Sequence, residues 1–251
     1  MIDLKDKVAI VTGGARDIGR QVSLRLAEQG ASVCINYFDN PGDAEETVKI
    51  IKEKGGKATA VQGDMTKPED ITKLVSECLN VFGEQIDVLV NVAGGLVGRK
   101  TIEEMDESFW DFLITLNLKT VYLVSKAVVP HMKKGGAIVN FASQAARDGG
   151  GPGATAYATA KGGVLTYTRG LAKELGPKGI RVNAVSPGMI NTTFHDTFTK
   201  PEVREKVAAS TPLRREGEAN EVADLVVYLA SDSASFINGE CVEINGGTYF
   251  V

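Results

Sequence analysis

Few residues of this sequence are of the kinds that build disulfides or metal sites. Its 251 residues include three cysteines and two histidines. The cysteines, Cys34, Cys78 and Cys241, are odd in number, lie far apart and lack the short spacing of metal ligands. They indicate small buried side chains in a reducing compartment, and we expect neither a disulfide nor a metal site.

The sequence also lacks a basic patch and a long apolar run. Its formal net charge is −4 and no basic cluster is longer than two residues, as at Lys133-Lys134, whereas a surface that binds nucleic acid needs many clustered cations. No run approaches the roughly 18 apolar residues of a membrane helix. Asp3, Lys5 and Asp6 interrupt the N-terminus, where a signal peptide would be apolar. We therefore expect a cytoplasmic protein with neither nucleic acid nor membrane as a partner.

Apolar strands alternate with amphipathic helices along the whole chain. With 43% hydrophobic residues and no Pro- or Ser-rich linker, residues 1–251 are predicted to form a single domain. Strands are predicted at 7–12, 31–36, 57–61, 87–91, 136–141, 180–185 and 240–244, and helices at 18–30, 43–54, 68–82, 105–132, 154–175 and 218–230. This alternation predicts an α/β fold, a doubly wound parallel sheet of about seven strands flanked by helices.

A tyrosine and a lysine lie one helical turn apart in the stretch 143–161. Tyr157 and Lys161 share a helix face, and a neighbouring cation favours the phenolate, which would lower the pKa of the tyrosine from about 10 towards working pH. Such a tyrosine can give a proton to a carbonyl oxygen or take one from an alcohol. Ser143, at the end of a predicted strand, would hold the same oxygen. Taken alone, the pair is more often a solvated or packed one.

A glycine-rich turn follows the first predicted strand. Residues 12–19 read Thr-Gly-Gly-Ala-Arg-Asp-Ile-Gly and open the first helix. Glycines at this place let the backbone approach a pyrophosphate, whose charge is met by the helix N-terminus. The literal G-x-G-x-x-G spacing is absent, and an ordinary strand-to-helix turn is the alternative.

Together these motifs resemble the short-chain dehydrogenase/reductase family over essentially the whole chain. The motifs occur in the family's order: Thr12-Gly13, Gly19, Asn91-Val92-Ala93-Gly94, Asn117, Ser143, Tyr157, Lys161 and Pro187-Gly188. The closest group contains 3-oxoacyl-acyl-carrier-protein reductases and related sugar or small-carbonyl reductases. The resemblance implies a Rossmann-like fold, a small-molecule carbonyl or alcohol substrate and a homotetramer.

The same resemblance implies roles for four catalytic residues. Tyr157 is then the general acid/base, and Lys161 lowers its pKa and binds the nicotinamide ribose. Ser143 positions the substrate carbonyl. Asn117, predicted inside the helix at 105–132, would hold a water of the proton relay, and its alternative is a polar residue facing a neighbouring helix.

The resemblance also implies a set of cofactor contacts. Asn91 would brace the central strands, Ala93 and Gly94 would let the adenosine half pass closely, Asp64 would accept from the adenine amine unless it is a helix N-cap, and Thr192 would bind the carboxamide. The complete predicted set is Gly13, Arg16, Asp17, Ile18, Asn36, Tyr37, Asp64, Met65, Asn91, Ala93, Gly94, Tyr157, Lys161, Pro187, Gly188, Ile190 and Thr192.

The choice of cofactor follows from charge. NAD-binding sheets usually present an acid at the end of the second strand, whereas this chain has Asn36-Tyr37-Phe38 there. Arg16 could pair with a 2′-phosphate, so we predict NADP(H), with NAD(H) possible. The family's glycine or alanine before Ile18 is Asp17 here, and a carboxylate close to a pyrophosphate is unfavourable unless it points away or pairs with a base.

The segment at about 189–216 shows no regular pattern and is predicted to be a lid over the nicotinamide. Gln144, Arg147 and His195 are the substrate candidates, although a lone loop histidine is more often solvated. The predicted activity is carbonyl reduction, with a 3-oxoacyl thioester or a keto-sugar or keto-uronate as substrate. A non-catalytic NADP-binding regulatory module on the same fold is the alternative.

Overall fold

Seven parallel strands form the central sheet of this protein. The structure is a computed structural model, and it describes residues 2–251. The strands are β1 (Val8–Thr12), β2 (Ser32–Tyr37), β3 (Lys57–Gln62), β4 (Val88–Asn91), β5 (Ala137–Phe141), β6 (Arg181–Pro187) and β9 (Cys241–Ile244), in the order β3-β2-β1-β4-β5-β6-β9. A second, two-stranded sheet pairs β7 (Ile190–Asn191) with β8 (Gly217–Glu218). The prediction of a doubly wound α/β fold is confirmed.

Helices cover both faces of the sheet. They are α1 (Asp17–Glu28), α2 (Pro41–Glu53), α3 (Pro68–Phe82), α4 (Glu107–Ile114), α5 (Thr120–Val128), α6 (Ala145–Asp148), α7 (Thr155–Leu175), α8 (Thr193–Phe198), α9 (Pro201–Ser210) and α10 (Ala219–Ala230). Strand β1 shows why these strands are continuous apolar runs: Ala9 and Val11 pack beneath α1 and α10, whereas Val8 and Ile10 pack beneath α3. Alternate side chains of a strand point to opposite faces, and here both faces are buried.

The strand order reverses between β1 and β4, and the loops that leave these two strands touch. The Thr12 hydroxyl accepts hydrogen bonds from the Val92 and Ala93 amides at 3.1 and 3.2 Å. A Cβ at Gly13 would lie 3.2 Å from the Cα of Ala93. In open parallel sheets, ligands bind in the crevice at such a reversal, outside the carboxyl ends of the strands.

The helix predicted at 105–132 is interrupted in the middle. Residues Thr115–Lys119 form a π-helical turn between α4 and α5, and Val129–His131 form a 3₁₀ turn after α5. Asn117 lies in the π turn, and its Nδ2 donates to the carbonyl oxygens of Leu113 and Gly95. A side chain that bonds the preceding turn competes with the regular ladder, which a pattern of apolar residues does not reveal.

The stretch Glu107–His131 is long and apolar enough to cross a membrane by length and composition alone. Its mean hydropathy reaches 1.5 over 18 residues, and 39% of that window is buried inside the fold. The expectation from consecutive apolar residues missed it, because Asn117 and Lys119 break the run. In the structure this stretch packs against α3 and α7.

The segment predicted as an irregular lid contains regular structure. Strand β7, helices α8 and α9 and strand β8 all lie within residues 189–218. Neither α8 nor α9 buries a residue fully, so neither carries the apolar stripe by which a helix is found in a sequence. The expectation of an irregular segment was therefore wrong, because helices without a buried face leave no apolar periodicity in the sequence.

We predict that Gly19→Ala destabilises the protein by about 2 to 3 kcal/mol, because the new Cβ would lie 2.0 Å from the Gly13 carbonyl oxygen and the turn would have to shift. Gly170→Ala is the matched control. No atom lies within 4 Å of a Cβ there, so alanine should stabilise α7 by about 0.5 to 1 kcal/mol. Urea unfolding of both variants measures the difference, and equal free energies of unfolding would contradict the close packing of the turn.

Candidate active site

The glycine-rich turn is held open by a buried asparagine. Asn36, at the end of β2, accepts a hydrogen bond from the Gly13 amide at 3.2 Å and donates to the Gly63 carbonyl at 2.9 Å. It thereby joins the ends of β1 and β3 across the strand between them. The predicted cofactor contact at Asn36 therefore corresponds to a side chain already occupied within the protein.

The turn has the shape of a phosphate cradle. Gly13 has a φ of +62°, which side chains rarely adopt, and Gly19 packs against the Gly13 carbonyl. The side chain of the N-cap residue Arg16 makes no capping hydrogen bond to α1, so it does not occupy the amides of the first turn. These residues fit the pyrophosphate of a dinucleotide.

Asp17 stands in this turn with a φ of +50°. Its carboxylate accepts from the Thr193 amide at 3.0 Å and from the Thr193 hydroxyl at 2.5 Å. Arg16 is 3.9 Å from the same carboxylate and 63% exposed, and Arg20 bonds Asp43 instead. The carboxylate therefore points to the segment after β7, a partner 176 residues away that no sequence pattern indicates.

Lys161 is the buried cation of the site. Its Nζ donates to the Phe141 carbonyl at 2.8 Å and lies 5.8 Å from the centre of the Tyr157 ring. The lysine is only 4% exposed, and this burial lowers its pKa from 10.5 to about 8. The side chain therefore remains charged at neutral pH and becomes neutral under mildly alkaline conditions.

Tyr157 differs from the sequence expectation in the direction of its pKa. Burial raises the pKa of Tyr157 above 10, and a hydrogen bond with Ser143 acts in the opposite direction without overcoming it. The net direction is therefore opposite to the expected lowering, because desolvation of the phenolate outweighs the favourable interaction, and the effect of Lys161 on this pKa stays a prediction. The phenol therefore keeps its proton at neutral pH.

Asn117 fastens the loop after β4 beside the catalytic candidates. Its Oδ1 accepts from the Gly95 amide at 2.9 Å, and its Nδ2 donates to the Gly95 carbonyl at 2.9 Å. A Cβ at Gly94 would lie 2.7 Å from this Oδ1 and 3.4 Å from the Lys161 Nζ. The π turn, the β4 loop and α7 therefore meet at Gly94, and only glycine fits there.

Asn91 braces the central strands, as the resemblance implied. Its Nδ2 donates to Asn140 Oδ1 at 2.9 Å, and Asn140 donates to Thr168 on α7 at 3.0 Å. All three side chains are buried. This ladder links β4 and β5 to the helix that carries Tyr157.

Asp64 lies at the end of β3, where its carboxylate accepts from the amide and the hydroxyl of Thr66 at 2.9 and 2.8 Å. The N-cap position of α3 is Lys67, so the helix-cap alternative is wrong. Met65 beside it is buried. Contact of Asp64 with an adenine amine stays a prediction.

The three substrate candidates lie in different surroundings. Arg147 forms an ion pair with Glu243 at 2.9 Å, and both side chains are nearly buried. Arg147 is therefore paired with a residue of β9. Gln144 donates to Asp148 at 2.9 Å near the surface. His195 bonds the Thr199 hydroxyl at 3.0 Å, and burial lowers its pKa.

The segment after β7 brings an aromatic ring to the site. The ring of Phe194 lies 6.5 Å from that of Tyr157, and Phe198 lies 5.2 Å behind it. Thr192, which is 9% exposed, donates to the Ile190 carbonyl at 3.1 Å. Sequence reasoning did not single out Phe194, because which helix face points at Tyr157 depends on the tertiary structure.

The cysteines take no part in this site. Cys34, Cys78 and Cys241 are free and buried. A hydrogen bond with Cys78 and burial raise the pKa of Cys34, and burial raises the pKa of Cys241 to about 12. Within residues 2–251, no three His, Cys, Asp or Glu side chains cluster as metal ligands.

Comparisons with known proteins match nearly the whole chain. A family model described as enoyl-(acyl carrier protein) reductase matches residues 13–249. A 3-oxoacyl-acyl-carrier-protein reductase of Staphylococcus epidermidis is 37% identical over 97% of this chain and 99% of its own. Glucose 1-dehydrogenase 2 of Bacillus subtilis is 36% identical over 98% of this chain and 95% of its own length. The structure of a short-chain dehydrogenase of Burkholderia cenocepacia in complex with NADP superimposes on this protein with a TM-score of 0.91. The two sequences are 32% identical, and the match covers 97% of this chain and 98% of the other.

The buried Lys161 predicts a dependence of stability on pH. Below about pH 8 the ammonium is charged in the folded and the unfolded chain alike. The folded protein then bears the full cost of burying this charge, which lowers its stability. Between about 8 and 10.5 only the unfolded chain keeps the proton, so the stability of the parent rises with pH. Lys161→Met lacks this titration, and its stability relative to the parent should fall by about 2 to 3 kcal/mol from pH 7 to pH 10.

Chemical denaturation across this pH range measures the effect. Lys173→Met, at an exposed position of the same helix, controls for the loss of a lysine. A constant difference between Lys161→Met and the parent from pH 7 to pH 10 would show that the Lys161 pKa is not depressed.

Proposed function

We propose that this chain, which belongs to the short-chain dehydrogenase/reductase family, is an NADP(H)-preferring reductase of small carbonyl compounds with Tyr157 as its general acid. Membership makes the chain an oxidoreductase of CH–OH and carbonyl groups. The reaction direction, the substrate and the roles of individual residues belong to the proposal.

The observation that carries the proposal is the convergence of Ser143, Tyr157 and Lys161 beside the phosphate cradle. Ser143 lies close enough to the Tyr157 phenol to act on its pKa, and the Lys161 Nζ, anchored by the Phe141 carbonyl at the end of β5, lies 5.8 Å from the centre of the Tyr157 ring. A ketone held by Ser143 and Tyr157 would receive a proton on its oxygen from the phenol. Bound nicotinamide would supply the hydride for the carbon.

Burial favours the carbonyl-reducing direction. Because the pKa of Tyr157 is raised, the phenol carries the proton that a reduction consumes. Lys161, charged at neutral pH and lying below the ring, stabilises the phenolate that forms when the proton leaves. We assign Asn117 to the relay that returns the proton from water, since it lies against the loop that approaches Lys161.

The preference for NADP(H) rests on charge at the mouth of the crevice. Arg16 is largely exposed beside the glycine-rich turn, and the side chain at the end of β2 is the amide of Asn36 rather than a carboxylate. A guanidinium that reaches a 2′-phosphate makes a strong, charge-assisted pair. The related structure that contains NADP supports the same choice, and NAD(H) would be the weaker alternative.

The substrate class follows from the relatives and the shape of the lid. Relatives with comparable identity act on a 3-oxoacyl thioester and on glucose by their names. We propose a 3-oxoacyl thioester or a keto-sugar or keto-uronate. Phe194 supplies apolar surface near Tyr157, and the ring of His195 lies 5.0 Å from the ring of Phe194.

We further propose a cytoplasmic homotetramer that contacts neither membrane nor nucleic acid. Each subunit would be one domain over residues 1–251, with residues 189–216 as the lid. Large apolar side chains on α4 and α5 are exposed: Trp110 by 36%, Phe112 by 46% and Tyr122 by 43%. A second subunit that packs on this face would bury them.

Tyr157→Phe tests the chemistry. The variant keeps the ring and loses the proton donor, so NADPH oxidation at 340 nm with the preferred carbonyl should fall about 100-fold or more. The panel should include acetoacetyl thioesters, keto-sugars and keto-uronates. Retained NADPH fluorescence on binding is the control that the cradle is intact.

Equal turnover by Tyr157→Phe and the parent would refute Tyr157 as the acid. If NADPH binds to the parent but no carbonyl of the panel is reduced, the protein is the non-catalytic NADP-binding module, the alternative that the sequence left open.

Arg16→Ala tests the cofactor preference. The Michaelis constant for NADPH should rise about tenfold, and the constant for NADH should stay near that of the parent, because only NADPH carries the 2′-phosphate. Arg169→Ala, at an exposed position on α7, is the matched control. A parent that prefers NADH by tenfold, which is about 1.4 kcal/mol, would refute the assignment.

A further inference from the structure

Asp17 occupies a place in the glycine-rich turn where its backbone is strained. Its φ of +50° lies in the left-handed region, which aspartate adopts more readily than most residues and glycine adopts freely. Glycine would serve the turn equally well without a charge. The carboxylate must therefore be explained by what it contacts.

The Asp17 carboxylate bonds the first residue of α8. It accepts from the Thr193 amide at 3.0 Å and from the Thr193 hydroxyl at 2.5 Å. A carboxylate at a helix N-terminus meets an amide that has no partner within the helix, and hydrogen bonds to a charged acceptor are stronger than neutral ones. We call this pair of contacts the Asp17–Thr193 tie.

The tie joins the two sides of the proposed dinucleotide crevice. One side is the cradle formed by Gly13 and the start of α1. The other is the segment after β7, where Thr192 precedes the tie and Phe194 follows it towards Tyr157. A dinucleotide whose phosphates lie in the cradle and whose carboxamide meets Thr192 would have to pass the bridge between them.

The rest of the lid is held separately. Arg204 on α9 bonds Glu216 through two nitrogens, at 2.7 and 2.5 Å, and also bonds Asp196 and Asn191. These contacts fasten α8 and α9 to the chain around β7 and β8. They do not involve the glycine-rich turn, so opening the Asp17–Thr193 tie releases the crevice without unfolding the lid.

We propose that Asp17 is a positioning residue that gates the dinucleotide: the Asp17–Thr193 tie bridges the crevice in the free and the loaded protein, and cofactor enters and leaves only when the tie opens. This inference rests on the proposed function, because it assumes that the crevice binds NADP(H). A gate slows entry and exit by the same factor, so removing it changes both rates far more than the affinity.

Three variants separate the tie from the charge of Asp17. Asp17→Gly keeps the left-handed backbone and removes the tie and the charge together. Asp17→Asn tolerates the same backbone and keeps an acceptor for the Thr193 amide, but it removes the charge. Thr193→Val removes the hydroxyl alone and leaves the charge of Asp17 in place.

Stopped-flow fluorescence of NADPH measures association and dissociation in each variant. We expect Asp17→Gly and Thr193→Val to raise both rate constants about five- to tenfold, as for the loss of a charge-assisted hydrogen bond, with the dissociation constant changed less than about threefold. The double variant should be no faster than Asp17→Gly. In the free protein, amide hydrogen exchange of residues 193–198 should accelerate in the same two variants.

Each other outcome overturns the gate. If Asp17→Gly and Thr193→Val both bind and release NADPH at the rates of the parent, the tie is only a helix cap and not a gate. Faster association in Asp17→Asn together with parental rates in Thr193→Val would assign the effect to charge repulsion alone. A parent that does not bind NADPH would refute the proposed function and the gate with it, whereas binding with unchanged rates refutes the gate only.

Discussion

Buried amide side chains hold the carboxyl edge of the sheet in shape, and the site depends on them. Asn36 joins the turn after β1 to the end of β3, and Asn91 and Asn140 link β4 and β5 to α7. Asn117 fastens the loop after β4. A buried amide that loses a partner is costly, so Asn36, Asn117 and Asn140, which use both the oxygen and the nitrogen of their amides, each admit essentially one arrangement of the backbone around them. The glycines then fill the places where two backbones come within contact distance.

Burial at this edge also shifts the pKa values of the two titratable side chains of the candidate site, Tyr157 and Lys161. Lys161 is buried and Tyr157 is partly buried, and desolvation pushes the pKa of the lysine down and that of the tyrosine up. Both shifts disfavour the charged forms. Above about pH 8 the lysine is therefore neutral while the phenol still keeps its proton. A substrate oxygen that accepts the phenolic proton would favour release of that proton, and a partly buried phenol with a raised pKa would then act as an acid near neutral pH.

The segment proposed as the lid, residues 189–216, is attached to the rigid sheet edge by few buried contacts. Helices α8 and α9 bury no residue fully and are held by ionic contacts around Arg204 and by the Asp17–Thr193 tie. Contacts between polar groups near the surface break at little cost in free energy, whereas the apolar packing below the sheet does not. Movement is therefore expected in residues 189–216, while the side chains proposed as catalytic stay in place.

The sequence by itself determined the α/β order, the seven parallel strands, the glycine-rich turn and the helix that places Tyr157 and Lys161 on one face, because these follow from local periodicity and short spacings. The brace at Asn91 followed from the family resemblance. Tertiary structure alone decided that Asn117 interrupts its helix with a π turn, that Arg147 faces Glu243, that Asp17 reaches Thr193, and that burial raises the Tyr157 pKa. These outcomes depend on partners distant in the chain and on the exclusion of water, and neither leaves a periodic signal in the order of the residues.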